Sequence, residues 1–356
     1  MKISRRSLLT GASAAALAGC RRPDPTPAPT LTLSPTRPPA DFHAGMSLAH
    51  VHSGELGYGS EPCLVTLKRL VDLGVTHISV TPFGFQAELT DTAIRFGNAL
   101  DRSLPDDSLL ALGVQARSVG LKILLKPHLW SNAFWRGESS RQDINPGSEA
   151  GWQSWFEAYT AFAIHYARVA EAMDASMYCV GLEYLTATKR NPGAWADVAA
   201  SCRSVYGGAL TYAANWWGEI DGFTDWSAYD AIGVNAYPPL SEAGNPSTEE
   251  LIAGWEEHLD QLDAIRGRHK KPVLLTEAGL PALKGAAARP WDQGLDGSED
   301  PDLQARTYEA LLHTASARSW VKGIYFWKVM TDGSGSDPYI PAPETERILR
   351  RWWSTG

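Results

Sequence analysis

The sequence predicts an α/β protein, a single (β/α)8 TIM barrel that follows a signal peptide and a proline-rich tether. From residue 41 onward, eight short apolar runs alternate with helical patterns, which is the order of a parallel sheet whose strands are joined by helices. A glycine-rich phosphate loop after the first run would favour the alternative, a doubly wound open sheet. The sequence has no such loop there. A chain of 356 residues is long enough for one large barrel.

Residues 1–20 have the pattern of a bacterial export signal. A positively charged start precedes an apolar stretch that is too short to span a bilayer as a stable helix. Leu17-Ala-Gly-Cys20 resembles a lipobox, with the lipid attached to Cys20, and Ser4-Arg-Arg-Ser-Leu-Leu9 resembles a twin-arginine signal. An ordinary secretory leader is the alternative. We expect an exported lipoprotein of the cell envelope, held on a membrane through Cys20.

Residues 21–40 are rich in proline and threonine, which predicts a stiff, extended tether without a core of its own. Residues 41–356 form the barrel. The predicted strands are Ala44–His50, Thr76–Pro82, Leu121–Leu129, Met177–Leu185, Ala209–Trp217, Ala231–Leu240, Pro272–Leu280 and Val321–Val329. The predicted helices are Glu61–Leu73, Ser108–Val119, Glu149–Met173, Pro192–Tyr206, Ser247–Arg266, Pro301–Ala317 and Glu344–Trp353.

Composition narrows the possible partners. A formal charge of −8 argues against nucleic acid. The four cysteines have no paired short spacing, so neither a disulfide framework nor a zinc pattern is predicted. The 14 Trp and 12 Tyr stand out; core packing accounts for part of them, and the rest could stack on sugar rings. We expect a monomer.

Active residues of such barrels lie at the carboxyl ends of the strands. The fourth predicted strand ends at Glu183 and the seventh at Glu277. A single glutamate at a strand end is often a helix cap or a surface acid. Two of them on one barrel mouth suggest glycoside hydrolysis, which needs one carboxyl group as acid and a second as nucleophile or base.

The segments around these glutamates resemble glycoside hydrolase family 113, the bacterial β-mannanases of clan A. The similar segments are Leu125-Lys-Pro-His-Leu129, Phe134-Trp-Arg-Gly137, Val180-Gly-Leu-Glu183, Leu210-Thr-Tyr-Ala-Ala-Asn-Trp216, Ile232-Gly-Val-Asn-Ala-Tyr-Pro-Pro239 and Pro272-Val-Leu-Leu-Thr-Glu277. The resemblance implies a retaining enzyme with Glu183 as acid/base and Glu277 as nucleophile. It also implies β-1,4-mannan or manno-oligosaccharides as substrate and no required cofactor.

The strand-end rule also supplies candidates for substrate binding. Tyr237 could donate a hydrogen bond to Glu277, and Trp327 could form the floor under the sugar. Many clan A enzymes carry an asparagine before the acid/base, where this chain has Leu182; Asn215 or Asn235 could replace that contact. The full set of candidates is His50, Lys126, His128, Trp130, Asn215, Trp216, Asn235, Tyr237 and Trp327.

Three other functions are alternatives to a β-mannanase. His50-Val-His52 resembles the opening of a barrel metal site, but the later strands offer Asn215, Asn235 and Lys328 where ligands are needed, so we expect no metal. A non-catalytic glycan-binding barrel on the cell surface is the second alternative. A glycosidase for another β-linked glycan is the third, because hydroxyl orientation is recognised by geometry that a sequence does not show.

Overall fold

The computed structural model describes residues 33–97, 105–137, 139–223 and 225–354. Cys20, the signal segment and the first part of the tether lie outside these residues. The strands of the described part are β1 (His43–Ala49), β2 (His77–Val80), β3 (Phe83–Gln86), β4 (Lys122–Leu125), β5 (His128–Ser131), β6 (Met177–Leu182), β7 (Ala209–Asn215), β8 (Ala231–Ala236), β9 (Val273–Ala278) and β10 (Val321–Met330).

Eight of these strands form a closed parallel barrel in the order β1, β2, β4, β6, β7, β8, β9 and β10. The predicted fold class is therefore confirmed. Strands β6, β8 and β9 are buried along their whole length, because helices cover the outside of the barrel and side chains fill its inside. Strand pairing sets Asn215 on β7 beside Asn235 on β8, and Asn235 beside Glu277 on β9.

The third barrel strand differs from its prediction, which ran without a break from Leu121 to Leu129. In the structure, β4 ends before Lys126, and β5 pairs in parallel with β3 in a separate two-stranded sheet. The break falls at Pro127, which has no backbone N–H to donate to a sheet. The consequence for the site is that Lys126 leaves the barrel ladder at the point where its side chain can enter the mouth.

The helices cover the outside of the barrel, and most match the predicted segments within a few residues. Two short ones, α3 and α5, were not predicted because a single turn or two carries little periodicity. The helices are α1 (Glu61–Asp72), α2 (Asp106–Ser118), α3 (Asn132–Trp135), α4 (Glu149–Ala172), α5 (Leu185–Arg190), α6 (Ala194–Arg203), α7 (Thr248–His269), α8 (Pro301–Ser316) and α9 (Pro343–Trp353), with 3-10 turns at Arg141–Asp143 and Trp226–Ala228.

Local sequence explains where the longer helices begin. Ser247 accepts a hydrogen bond from the backbone N–H of Glu250 at 3.2 Å, and the Glu250 carboxylate accepts from the N–H of Ser247 at 2.7 Å. This is the capping arrangement expected from the Ser-Thr-Glu-Glu segment. Ser60 caps α1 in a similar way, with its hydroxyl accepting from the N–H of Cys63 at 3.2 Å.

Aromatic side chains form much of the packing between the barrel and its helices. Tyr184 stacks on Trp195 with ring centroids 5.6 Å apart, and Trp195 contacts Tyr212 edge-on at 5.0 Å. Six of the 14 tryptophans are fully buried, which leaves others available at the surface. Leu33, in the described end of the tether, is also buried. Among the described residues, no helix is both long enough and apolar enough to cross a membrane.

Candidate active site

Glu277 lies near the carboxyl end of β9 and is held by two donors from neighbouring strand ends. The Lys126 ammonium, which has no exposed surface, donates to its Oε1 and to the carbonyl oxygen of Thr276. The Tyr237 hydroxyl donates to its Oε2 at 3.0 Å, which is the hydrogen bond anticipated from the sequence. A cation and a hydroxyl donor together stabilise a carboxylate in its ionised form.

Glu183 directly follows β6 and has a different environment. Its side chain keeps 20% of its surface exposed and accepts a hydrogen bond from Arg141 at 3.1 Å. Burial raises the pKa of Glu183 above its ordinary value, the nearby charge of Glu277 raises it further, and the Arg141 guanidinium opposes both. The net direction favours a carboxyl group that holds its proton.

Arg141 bridges Glu183 and His128, and it was not among the residues predicted from the sequence. It contacts Nδ1 of His128 at 3.0 Å, and Nε2 of His128 lies 3.9 Å from Oε1 of Glu277. Burial, Arg141 and Lys126 lower the pKa of His128 well below its usual range, so the ring is neutral. Because Nδ1 accepts from Arg141, Nε2 carries the proton and is a donor facing the site. Arg141 lies on a 3-10 turn beyond β5, where neither periodicity nor the strand-end rule could identify it.

Asn215 and Asn235 have different surroundings. Either could replace the asparagine that many clan A enzymes carry just before the acid/base. Asn235 is fully buried on β8 and faces Glu183, and its nearby amide lowers the pKa of that carboxyl group. Its Oδ1 accepts from Thr276 at 3.0 Å, while Nδ2 makes no close hydrogen bond within the described part of the chain. Asn215 uses its Oδ1 to accept the N–H of Trp217 at 2.9 Å. Asn235 therefore lies beside Glu183 with an unused donor, whereas Asn215 is engaged with its own loop.

Several aromatic side chains surround the carboxyl ends of the strands. Trp327 near the end of β10 is partly exposed and stacks parallel to His128, with ring centroids 6.2 Å apart. The backbone of Trp327 lies against Gly279, where a Cβ would come within 2.9 Å of the Trp327 carbonyl oxygen. Glycine is therefore required two residues after Glu277 for β9 and β10 to approach each other.

Two tryptophan pairs lie beyond the ends of different barrel strands, one on β5 and α3 and the other in the segments after β7 and β9. Trp130 contacts Trp135 at 5.0 Å between ring centroids, and Trp216 contacts Trp291 at 5.5 Å. Trp135 and Trp291 are exposed, as required of surfaces that stack on sugars. Trp291 lies in the segment between β9 and α8 and was not predicted, because that segment has no periodic pattern.

His50 lies directly after β1 and is linked to its own loop rather than to the glutamates. Its Nδ1 accepts the backbone N–H of Tyr58 at 3.1 Å, and its ring contacts His52 edge-on at 5.1 Å. Burial lowers the pKa of His50 to about 4, so the ring is neutral at physiological pH. Within the ranges that the structure describes, no group of three or more His, Cys, Asp and Glu side chains could hold a metal ion.

The barrel mouth holds two carboxyl groups in contrasting environments. One is bound by a buried cation and a hydroxyl, and the other is desolvated and raised in pKa. Partly exposed aromatic rings lie around them. Paired carboxyl groups in contrasting environments, beside surfaces that suit sugar rings, are the arrangement of a glycoside hydrolase.

Comparisons with known proteins agree with this class. The sequence model of Glycoside Hydrolase Family 113 matches residues 51–334. A solved GH113 beta-1,4-mannanase has a TM-score of 0.76 and 26% identity, covering 88% of this chain and 99% of that one. The beta-mannanase AaManA from Alicyclobacillus acidocaldarius, in complex with ManMIm, has a TM-score of 0.75 and 27% identity, covering 88% and 97%.

A b-glucuronidase from Ruminococcus gnavus shares the fold alone, with a TM-score of 0.59 and 13% identity over 88% of this chain and 50% of that one. A search of curated protein sequences found no match. The family match extends over most of the chain, so the chain belongs to glycoside hydrolase family 113. It is a glycoside hydrolase.

Proposed function

We propose that this protein is a retaining glycoside hydrolase that cleaves β-1,4-mannosidic bonds in mannan or manno-oligosaccharides. The observation that carries the mechanism is the contrast between Glu277, bound by Lys126 and Tyr237, and Glu183, whose pKa is raised by burial. The proposed substrate is supported by the solved structures that match at 26% and 27% identity, a beta-1,4-mannanase and a beta-mannanase.

The reaction proceeds by double displacement. In the first step the Glu277 carboxylate attacks the anomeric carbon, and Glu183 gives its proton to the departing glycosidic oxygen. A covalent glycosyl ester on Glu277 results. In the second step Glu183, now ionised, takes a proton from water, and that water displaces Glu277 with overall retention of configuration. Arg141 stabilises Glu183 in this ionised state, which exists between the two steps.

Binding of the glycan depends on donors and ring surfaces around the two glutamates. His128 Nε2 and Asn235 Nδ2 are buried donors that make no hydrogen bond within the described residues, and a sugar hydroxyl would satisfy each of them. Trp327 serves as the floor under the sugar at the cleaved bond. Trp130 and Trp216 are platforms for neighbouring sugars, while Lys126 acts through Glu277 and His50 borders the cleft.

The sequence of residues 1–20 is the basis for a proposed location of the enzyme. We propose that Cys20 carries the lipid and that the protein acts as a monomer on the surface of a cell-envelope membrane, with residues 21–40 as the tether. In this position the enzyme would meet soluble or partly degraded β-linked glycans outside the cytoplasm.

The experiment that tests the substrate is reducing-end release from β-mannan, glucomannan, xylan, cellulose and β-galactan, with Glu277→Gln as the inactive control. We expect release from mannan and glucomannan and none from the other three. Release from xylan, cellulose or β-galactan at a rate equal to that from mannan would show that the substrate assignment is wrong while leaving the family unaffected.

A further inference from the structure

A third carboxyl group, which the proposed reaction does not use, lies buried behind Glu183. Glu219 is in the turn after β7 and is 1% exposed. Its Oε1 accepts from the Tyr212 hydroxyl at 2.7 Å, and its Oε2 accepts from the backbone N–H of Asn215 at 2.8 Å. The Thr188 hydroxyl, which donates to the Leu185 carbonyl oxygen at 3.0 Å, also lies 3.3 Å from Oε1. A buried acid is costly unless it is well satisfied, and Glu219 is held by two donors and a close hydroxyl.

The first connection from Glu219 runs through Tyr212 to the backbone beside Glu183. The Tyr212 hydroxyl donates to Glu219 and accepts the N–H of Tyr184 at 3.1 Å. Glu183 has a φ of +56°, a left-handed conformation that is unfavourable for residues other than glycine. Its own N–H donates to the Ala213 carbonyl oxygen at 3.0 Å. Hydrogen bonds on both sides therefore hold Glu183 in this conformation, and Glu219 orients the hydroxyl that makes one of them.

The second connection runs through α5 to Arg141. Thr188 on α5 contacts Glu219 through its side chain, and its N–H donates to the carbonyl oxygen of Tyr184 at 2.9 Å. On the same helix, the Thr186 hydroxyl donates to the carbonyl oxygen of Gln142 at 2.6 Å. Gln142 adjoins Arg141, which hydrogen-bonds Glu183. The backbone next to Glu183 and the segment that carries Arg141 are thus both hydrogen-bonded to α5, and α5 contacts Glu219 through Thr188.

We propose that Glu219 is a positioning residue for the acid/base, holding Glu183 through Tyr212 and α5 where its proton can reach the leaving oxygen. This inference rests on the proposed function of Glu183. It assigns to Glu219 no contact with the substrate, and it predicts that losing Glu219 impairs proton donation more than it impairs nucleophilic attack.

The charge of Glu219 gives the inference a second readout. Burial raises the pKa of Glu219 to about 7, its hydrogen bonds oppose this, and the charge of Glu183 adds to it. Glu219 faces Tyr212 and Glu183, and Glu183 in turn faces Arg141, Glu277 and Lys126. At pH above about 7, where Glu219 is ionised, its charge disfavours ionisation of Glu183. Replacing it with a neutral side chain therefore moves the basic limb of the pH–rate profile to lower pH.

The test compares Glu219→Gln and Tyr212→Phe with Tyr206→Phe, on mannan and on a dinitrophenyl mannoside. Tyr206→Phe is the matched control, because it also removes a buried tyrosine hydroxyl, one that donates to the Ala175 carbonyl oxygen at 2.7 Å before β6 begins. Glu219→Gln and Tyr212→Phe should reduce kcat on mannan about tenfold or more, and much less on the dinitrophenyl mannoside, whose leaving group needs no proton. Tyr206→Phe should reduce both equally or neither.

Equal losses on the two substrates in Glu219→Gln and Tyr212→Phe, with the basic limb of Glu219→Gln unmoved, would overturn the positioning role. If Glu219→Gln does not fold, Glu219→Asp and Tyr212→Phe give the same comparison of substrates. Glu183→Ala separates the two hypotheses. If it shows the leaving-group dependence and Glu219→Gln does not, only the positioning role is wrong; if Glu183→Ala lacks that dependence, the proposed acid/base itself is wrong.

Discussion

Replacing Lys126 with methionine tests the electrostatic design of the site most severely. Lys126 is fully buried and donates to both Glu277 and the Thr276 carbonyl oxygen. Methionine keeps much of the length of the side chain but leaves Glu277, which is only 7% exposed, with Tyr237 as its remaining close donor among the described residues. Removing one partner of a buried ion pair costs about 3–5 kcal/mol, because the other charge stays unpaired.

For a domain of this size, about 2 °C is lost per kcal/mol, so the melting temperature of Lys126→Met should fall by about 6–10 °C. The pH–rate profile should also move. Lys126 lies near both carboxyl groups and lowers the pKa of Glu183, so without it Glu183 is harder to ionise. The basic limb of the bell-shaped profile of kcat/KM, which Glu183 sets, should therefore shift to higher pH.

Two further variants define what would refute this reasoning. Lys322→Met removes the exposed pair with Asp41 and should change stability little. The double variant Lys126→Met/Glu277→Gln leaves no unpaired charge and should recover most of the lost stability. Calorimetry that found Lys126→Met as stable as Lys322→Met, or a pH profile that moved to lower pH, would show that the buried pair does not hold the nucleophile as described.

Three other predictions concern the glutamates and the leader. Glu183→Ala should hydrolyse a dinitrophenyl mannoside far better, relative to wild type, than mannan, and its pH profile should lack the basic limb; equal loss on both substrates argues against an acid role. Glu277→Ala should lose several orders of magnitude in turnover, and azide should restore its activity on the activated substrate with an inverted product. If the variant keeps its activity without azide and azide adds nothing, Glu277 is not the nucleophile. Cys20→Ala should release the protein from membranes, and wild-type protein without lipid by mass spectrometry would show that the lipobox assignment is wrong.

The barrel could be predicted from sequence because its strands are buried on both faces. Such strands appear as continuous apolar runs, and the glycines after Leu73 and Val119 mark helix ends. The break at Pro127 is not evident from the pattern, because Lys126 and His128 alternate with apolar residues as they would on a continuous strand. The second sheet, β3 with β5, depends on pairing between strands far apart in the chain, which periodicity does not encode.

The site was predictable where it follows the strand ends and not where it depends on loops. Glu183, Glu277 and Tyr237 all lie at or just after carboxyl ends of barrel strands, so one rule located them. Arg141 and Glu219 lie on turns, and their partners are brought to them only by the fold. Nothing in the local sequence distinguishes these two residues from ordinary surface charges.

The measurement that bears most directly on the central claim is NMR observation of the anomer formed first when the wild-type enzyme cleaves a manno-oligosaccharide. Glu277 as nucleophile and Glu183 as acid/base require two inversions at the anomeric carbon. The first-formed product should therefore be the β-anomer, with the α-anomer appearing later by mutarotation. An α-anomer as the initial product would contradict the double displacement and with it the roles assigned to both glutamates.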